Sequence, residues 1–159
     1  MTEKTKVTLY TDGACSGNPG TGGYGAILVH VDANGTKHEK EFSQGYLMTT
    51  NNQMELLAVI VGLEALKKPC NVTIYSDSKY VVDAFNNKWI ENWIAKGWRT
   101  AGKSPVKNVD LWKRLLKAME THETKFIWVK GHAGHEYNER CDSLAVAASK
   151  KEDLKTEVA

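Results

Sequence analysis

Two aspartates with matching local sequences are the first residues in this chain that could do chemistry. Asp12 ends the motif "LYTD" and Asp77 ends "IYSD", and each follows a run typical of a β-strand. A single aspartate in this position is often only a cap or a turn residue. Two carboxylates that meet repel each other unless a proton or a cation neutralises them. The repeated motif therefore favours a cation site if the fold brings the two strand ends together.

Two further acids lie near the starts of apolar helical runs. Glu55 is in "NNQMELLAV" and Asp142 is in "NERCDSLAVAA". Each acid, taken alone, is also consistent with a favourable interaction with the helix dipole. Taken with Asp12 and Asp77, they complete a set of four carboxylates without other strong metal ligands. Such a set is typical of a site for hard divalent cations, and Mg²⁺ prefers oxygen ligands.

A loop with two histidines follows the last strand pattern, in "VKGHAGHEYNE". Histidines three residues apart with no nearby cysteine are a weak zinc pattern. A loop histidine beside carboxylates is better suited to proton transfer. We therefore assign a functional role to His132 and interpret His135 as a surface loop residue.

These residue types point to metal-assisted phosphodiester hydrolysis. Two divalent ions about 3.5–4 Å apart can activate a water and stabilise the leaving oxygen, so no protein nucleophile is needed. Cys15 and Cys141 fall near the expected site, but no motif activates either thiol.

Hydrophobic periodicity predicts the elements that must position these residues, in the order β-β-β-α-β-α-α-α-β-α. The first three strands form a meander, and the helix after them is a crossover, so strands 1 and 4 become parallel neighbours. Sites in such sheets form beyond the carboxyl ends of the parallel strands. The predicted strands are 6–12, 23–32, 37–46, 71–77 and 124–131, and the predicted helices are 51–66, 78–86, 89–96, 108–122 and 138–149.

A glycine-rich stretch, "YTDGACSGNPGTGGYG", follows the first strand pattern and contains six of the 13 glycines. It lacks the lysine of a phosphate-binding loop, and a strand pattern follows it instead of a helix. The simpler interpretation is a hairpin with a roomy turn.

The bulk composition is that of one soluble globular domain. The chain has 159 residues, a net charge of +2, 42% hydrophobic residues and 25% charged residues. No apolar run reaches the roughly 20 residues that span a bilayer, and "MTEKTK" does not resemble a secretory signal. The three cysteines are widely spaced, which predicts a reducing, cytoplasmic location. We expect a single domain over 1–150 and a flexible tail over 151–159.

Five motifs together resemble the type 1 ribonucleases H of bacteria, over about residues 5–148. They are "YTDGACSGNPG", "TTNNQMELLAVIVGLEAL", "IYSDSKYV", "WIENWIAKGWRTAGKSPVKNVDLW" and "VKGHAGHEYNERCDSLA". The resemblance implies a ribonuclease H-like α/β fold with a five-stranded mixed sheet, order 3-2-1-4-5, and helices on both faces. It also implies hydrolysis of the RNA strand of RNA–DNA hybrids, leaving 5′-phosphate and 3′-hydroxyl ends.

The same resemblance implies roles for individual residues. Asp12, Glu55, Asp77 and Asp142 would bind two Mg²⁺ ions in the substrate complex, with Mn²⁺ as a substitute. His132 would assist proton transfer or product release, and Glu139 would support this region. The protein would act as a monomer without an obligate protein partner. The implied substrate contacts are Cys15 to Asn18, Thr50, Asn51, Asn52, Lys79, Trp89, Lys96, Trp98, Arg99 and Lys103. For Lys79, a solvated helix residue without a substrate contact is the alternative interpretation.

The segment 88–107 resembles the basic protrusion with which family members grip the DNA strand. The segment contains five basic residues and a single acidic residue, Glu91. We expect Trp93 to pack the protrusion onto the body of the protein. Two features depart from the family pattern: Ile94 and Ala95 stand where basic residues are common, and Glu136 stands where proline commonly follows the second histidine.

Three other functions are consistent with parts of this pattern. A junction resolvase or a transposase-like nuclease uses the same carboxylate logic on a related fold. A non-catalytic hybrid-binding module would be expected to lack part of the acid set, which is complete here. Half of an actin-like or sugar-kinase protein shares the core fold, but a single domain lacks the second lobe that encloses a nucleotide.

Overall fold

The computed structural model describes residues 5–100, 102–130, 136–151 and 153–156. It contains one five-stranded sheet of order β3-β2-β1-β4-β5. The β1–β2 and β2–β3 pairs are antiparallel, whereas β1–β4 and β4–β5 are parallel, which confirms the predicted topology. The elements are β1 (Thr5–Gly17), β2 (Gly20–Val31), β3 (Lys37–Thr49), α1 (Asn51–Glu64), β4 (Cys70–Ser76), α2 (Lys79–Asn86), α3 (Trp89–Ala95), α4 (Val109–Met119), β5 (Glu123–Trp128) and α5 (Glu136–Ser149).

The two faces of the sheet pack against different helices. Leu28 on β2 belongs to the large apolar cluster that contains most of α1, whereas its neighbour Ile27 packs with Cys141 of α5. This follows from the alternation of side chains along a strand. Helix α1 packs against the sheet on one side and against α4 on another, where the fully buried Trp112 belongs to the same apolar cluster. Helix α1 is therefore buried on nearly all sides. Helices therefore cover both faces, as predicted.

The glycine-rich stretch has a different structure from the roomy turn expected from its sequence. Strands β1 and β2 stay paired as far as Gly17 and Gly20, so the turn itself is only Asn18 and Pro19. A Cβ atom at Gly25 would clash with the backbone of α5, and one at Gly23 would lie 2.6 Å from the carbonyl oxygen of Ala145. Glycines in β2 thus allow α5 to lie directly on the sheet.

The described part of the C-terminal segment lies on the edge strand β3, where the sequence predicted a flexible tail. The Lys155 amide donates to the carbonyl oxygen of Gly45 at 3.0 Å, and the Leu47 amide donates to the carbonyl oxygen of Lys155 at 2.9 Å. The backbone of residues 153–156 therefore extends the sheet locally. This contact also covers part of an otherwise open strand edge.

Candidate metal centre and nucleic-acid interface

Three of the four predicted acids form a tight cluster. Asp12, Glu55 and Asp77 each offer a carboxylate oxygen, and these oxygens all lie within 4.8 Å of one another. Asp77 directly follows β4, as expected. Asp12 lies inside β1 rather than at its end, because the antiparallel pairing with β2 continues beyond it. The parallel pairing of β1 with β4 stops at Tyr10 and Tyr75, so both acids still lie just past the last parallel pair.

Gly13 connects two of these acids and allows them to approach. Its backbone amide donates to Oδ1 of Asp12 at 2.8 Å and to Oε1 of Glu55 at 2.6 Å. The other oxygen of Glu55 accepts from the Ser76 hydroxyl at 3.4 Å. A Cβ atom at position 13 would lie 2.8 Å from both the Glu55 amide nitrogen and Met54 Cβ. Only glycine therefore allows β1 to come this close to α1.

Burial and mutual repulsion favour protonation of this cluster. Burial, followed by the nearby charge of Asp77, raises the pKa of Asp12 to about 8. Burial also raises the pKa of Glu55 well above its usual range, with further contributions from Asp12 and Asp77. Both effects penalise the charged carboxylate when no cation is present. A divalent ion would displace these protons and remove the repulsion.

Asp142 lies at the same cleft as the three clustered acids. The cleft has a volume of about 320 Å³ and is also lined by Asn51, Asn52 and Lys79. The charge of half-buried Asp142 contributes to the raised pKa of Asp12. The fold thus brings together all four acids that the sequence singled out. This all-oxygen donor set suits divalent metal ions.

The remaining members of the predicted catalytic set have different positions. Glu139 is exposed in the first turns of α5 and lines a separate cavity with Glu41 and Glu136. His132 and His135 lie outside the described residues. The Cys15 thiol points toward the backbone carbonyl oxygens of Gly17 in the hairpin and Thr49 at the end of β3. Burial raises the pKa of this thiol, which disfavours a nucleophilic thiolate.

The start of α1 and the β1–β2 turn form one polar surface beside the acids. Asn18 Oδ1 accepts a hydrogen bond from the Asn51 amide at 3.1 Å, and the side chains of Asn51 and Asn52 are exposed. Thr50 caps the helix, since its hydroxyl accepts from the Gln53 amide at 3.2 Å. The implied substrate contacts Asn18 and Asn51 are therefore neighbours, although they are 33 positions apart in the sequence.

Trp128 is a residue of this site that sequence reasoning missed. It ends β5, and its indole Nε1 donates to the backbone carbonyl oxygen of Asp77 at 3.1 Å. The Lys79 ammonium nitrogen lies 4.6 Å from the centre of the Trp128 ring. The sequence could have indicated this, because Trp128 lies toward the carboxyl end of a predicted parallel strand and Asp77 comes at the same end of the neighbouring strand.

The basic protrusion combines packed and exposed aromatic residues. Trp93 lies 5.4 Å from Trp112 and packs against the main core, which confirms the expectation for that residue. Trp89 is exposed, and Trp98 is partly buried with the Lys113 ammonium nitrogen 5.6 Å from its ring centre. Arg99 donates to the carbonyl oxygen of Lys103 at 3.1 Å. The predicted cations Lys96, Arg99 and Lys103 are all exposed.

The sheet order, together with the acids on β1, α1 and α5 and the acid that follows β4, defines a metal-dependent nuclease of the ribonuclease H-like class. The RNase H family model matches residues 4–150. A protein named ribonuclease H from Lachnoclostridium phytofermentans is 63% identical over 145 residues, covering 91% of this chain and 92% of that protein. Another from Desulforamulus reducens is 56% identical, covering 99% of this chain and 96% of that protein. The chain belongs to the RNase H family.

The solved structures include a similar fold. The crystal structure of LC9, described as a type 1 RNase H with the type 2 active-site motif, superposes with a TM-score of 0.83 at 31% identity. The match covers 94% of this chain and 74% of that one. The expectation of a ribonuclease H-like fold is therefore confirmed.

Proposed function

We propose that this enzyme is an endonuclease that hydrolyses the RNA strand of RNA–DNA hybrids and leaves 5′-phosphate and 3′-hydroxyl ends. The observation that carries the proposal is the Asp12, Glu55 and Asp77 cluster, placed at one cleft with Asp142. Family membership and the high identity to proteins named ribonuclease H support it. Divalent ions held by four such carboxylates would promote phosphodiester hydrolysis without a protein nucleophile.

The four acids are the proposed ligands of two Mg²⁺ ions, which Mn²⁺ would replace. When bound, such ions activate the attacking water and stabilise the leaving oxygen. Within the chain, Gly13 and Ser76 fix the orientation of the Glu55 carboxylate. We assign proton transfer or product release to His132. Because Glu139 lines a separate cavity, its proposed role is to support the start of α5.

The polar surface beside the cleft is the proposed reader of the hybrid's minor groove. Asn51 and Asn52 present exposed amide groups, which can both donate to and accept from a 2′-hydroxyl. Cys15 and Asn18 place the hairpin backbone alongside them. The Thr50 hydroxyl accepts from a helix amide and keeps its own proton for a phosphate oxygen of the DNA strand.

The basic protrusion is the proposed grip on the DNA strand. Lys96, Arg99 and Lys103 present exposed cations to phosphates, and Trp89 and Trp98 present ring surface. Ile94 is 52% exposed among these cations, so one position on this surface contributes no charge. We expect a weaker grip than a continuous basic run would give.

We further propose a cytoplasmic monomer that needs no protein partner. None of the described helices has the length and apolar character needed to cross a membrane. Each of the three cysteines is a free thiol, in keeping with a reducing compartment. Sedimentation or light scattering of the purified protein would test the monomer.

The decisive experiment compares three substrates: a hybrid labelled on the RNA strand, the same hybrid labelled on the DNA strand, and duplex DNA. We expect cleavage of the labelled RNA strand alone, and only when Mg²⁺ is added. The Asp77→Asn variant is the matched inactive control, because it removes the charge of one proposed metal ligand at a partly exposed position. It should not cleave the labelled RNA strand. Cleavage of duplex DNA would favour a resolvase or transposase-like activity. Cleavage that persists in a chelator would contradict the metal mechanism.

A further inference from the structure

We propose that Trp128 is a positioning residue that holds the Lys79 ammonium at the mouth of the acid cleft, where it binds a phosphate of the strand being cut. The inference rests on the proposed function and goes beyond it. It assigns a role to a tryptophan that the sequence motifs did not single out, and it gives Lys79 a phosphate as its ligand.

The position of Trp128 is fixed by hydrogen bonds to the backbone carbonyl oxygens of Asp77 and of the preceding residue, Ser76. Its indole nitrogen donates to the Asp77 carbonyl oxygen at 3.1 Å. In the parallel pairing of β4 with β5, Trp128 lies opposite Ser76. The backbone amide of the next residue, Val129, donates to the Ser76 carbonyl oxygen at 2.9 Å. Two backbone links therefore set the position of the ring relative to the acid that follows β4.

Lys79 is the exposed partner in this pair. It is the exposed first residue of α2 and lines the cleft together with the acids. Its ammonium nitrogen lies 4.6 Å from the centre of the Trp128 ring, within the range of a cation–π interaction. The ring holds the cation but leaves its outward N–H donors available.

A phosphate is the ligand that suits this arrangement. A phosphodiester that enters a cleft lined by four carboxylates meets like charge, and an ammonium at the cleft edge offsets part of it. An ammonium binds phosphate as a compact point charge. A lysine already held on an indole also loses less conformational freedom when the phosphate arrives. The pair thus favours substrate binding and leaves the hydrolytic step to the acids.

A double-mutant cycle tests the inference. KM and kcat for the hybrid are measured with Mg²⁺ at two salt concentrations for the parent, Lys79→Met, Trp128→Leu and the double variant. Lys79→Met should raise KM, leave kcat nearly unchanged and flatten the log–log salt slope by about 0.9. Trp128→Leu should raise KM in the parent by ~2–5-fold and should have almost no effect once Lys79 is replaced.

The Trp128→Phe variant separates the ring from the indole N–H. It keeps an aromatic face for the lysine and removes the hydrogen bond to Asp77. We expect it to retain most of the coupling to Lys79. The matched control is the Lys40 and Phe42 pair, in which the ammonium nitrogen lies 5.4 Å from the ring centre. Lys40 lines a cavity with Thr5 and Cys70, the first residues of β1 and β4. The acids lie toward the other end of these strands, so the Lys40 and Phe42 pair should show no coupling in KM.

Two results would overturn the inference. If the effects of Lys79→Met and Trp128→Leu on KM simply multiply, the ring does not act through the lysine. If Trp128→Phe is as impaired as Trp128→Leu, the residue acts through the Asp77 carbonyl instead. A parent protein that fails to cleave the hybrid with Mg²⁺ would count against the proposed function. Loss of coupling in a parent that cleaves would count against this inference alone.

Discussion

The backbone amide of Gly13 lies 2.6 Å from Oε1 of Glu55 and joins the middle of β1 to the second turn of α1. This contact links two acids that are 43 positions apart, at 12 and 55. It depends on the missing side chain, because a Cβ atom would lie 2.8 Å from the Glu55 amide nitrogen. The candidate metal centre therefore depends as much on the close approach of the β1 and α1 backbones as on the carboxylates themselves.

Gly13→Ala should impair both stability and cleavage. The new methyl group meets helix backbone, which cannot rotate away, so we expect a loss of about 1–3 kcal/mol in the free energy of unfolding. The displaced helix should also weaken metal binding through Glu55. Urea unfolding and the Mg²⁺ dependence of cleavage measure these two effects. Gly102→Ala is the control, since the nearest atom there is 3.9 Å from the new Cβ. A fully active, equally stable Gly13→Ala protein would contradict this account.

Asp12→Asn should stabilise the metal-free protein at high pH. The folded-state pKa of Asp12 is raised to about 8, against about 3.9 in an unfolded chain. The stability that comes from the neutral Asp12 carboxyl in the folded state is therefore fully present below about pH 4, and it is lost as the pH rises through 8. The amide variant stays neutral, so its advantage in Tm over the parent should grow from pH 5 to pH 9.

Thermal unfolding in a chelator across this pH range tests the idea. Added Mg²⁺ should raise the Tm of the parent most at high pH, where fewer protons compete for the cluster. The Asp12→Asn protein should gain less from Mg²⁺ and should not cleave the hybrid. A Tm difference that is the same at pH 5 and pH 9 would show that Asp12 does not carry the pH dependence.

The local patterns in the sequence were sufficient to predict all ten elements and the parallel pairing of strands 1 and 4, whereas the full sheet order came from the family resemblance. The alternation in β4, for example, is visible in "CNVTIYS" and matches its alternating burial. Asp12 and Asp77 could also be placed together, because parallel strands bring their carboxyl ends to one edge. Such features depend on short stretches of chain and on topology, which periodicity reveals.

The features that the sequence did not reveal depend on contacts between distant segments. Gly23 and Gly25 fall in a predicted strand, but nothing in the sequence shows that their missing side chains allow α5 to pack on the sheet. Lys155 looks like part of a frayed tail, yet it pairs with β3. Trp128 becomes a site residue only because Ser76 and Asp77 lie beside it. Hydrophobic periodicity contains no information about these partners.

His132→Ala should slow turnover by roughly 10²–10⁴-fold and leave metal affinity nearly intact. The reason is that a proton-transfer residue affects the chemical step, whereas the four acids are the proposed metal ligands. Kinetics at saturating Mg²⁺, together with calorimetric titration of Mg²⁺, separates the two effects. The His135→Ala variant is the control and should remain close to the parent. A fall in metal affinity that matches the fall in rate would make His132 a ligand.

Neutralising the protrusion should weaken binding and leave the chemical step alone. Lys96, Arg99 and Lys103 are exposed and come from a segment that supplies none of the four acids at the cleft. Replacing all three with Met should raise KM, with kcat little changed. Each lost phosphate contact should flatten the log–log salt slope by about 0.9, so the effect should shrink as salt increases.

The size of this effect depends on which members of the protrusion face the substrate. Trp93 packs against Trp112, and Ile94 adds no charge, so we expect a moderate rise in KM rather than complete loss. The control replaces three exposed lysines outside the protrusion, Lys40, Lys68 and Lys125, and so makes the same change in net charge. KM and kcat at two salt concentrations compare the two triple variants with the parent. If both variants raise KM equally, the net charge of the protein drives binding. A large fall in kcat at saturating hybrid in the protrusion variant alone would place this segment in the chemical step.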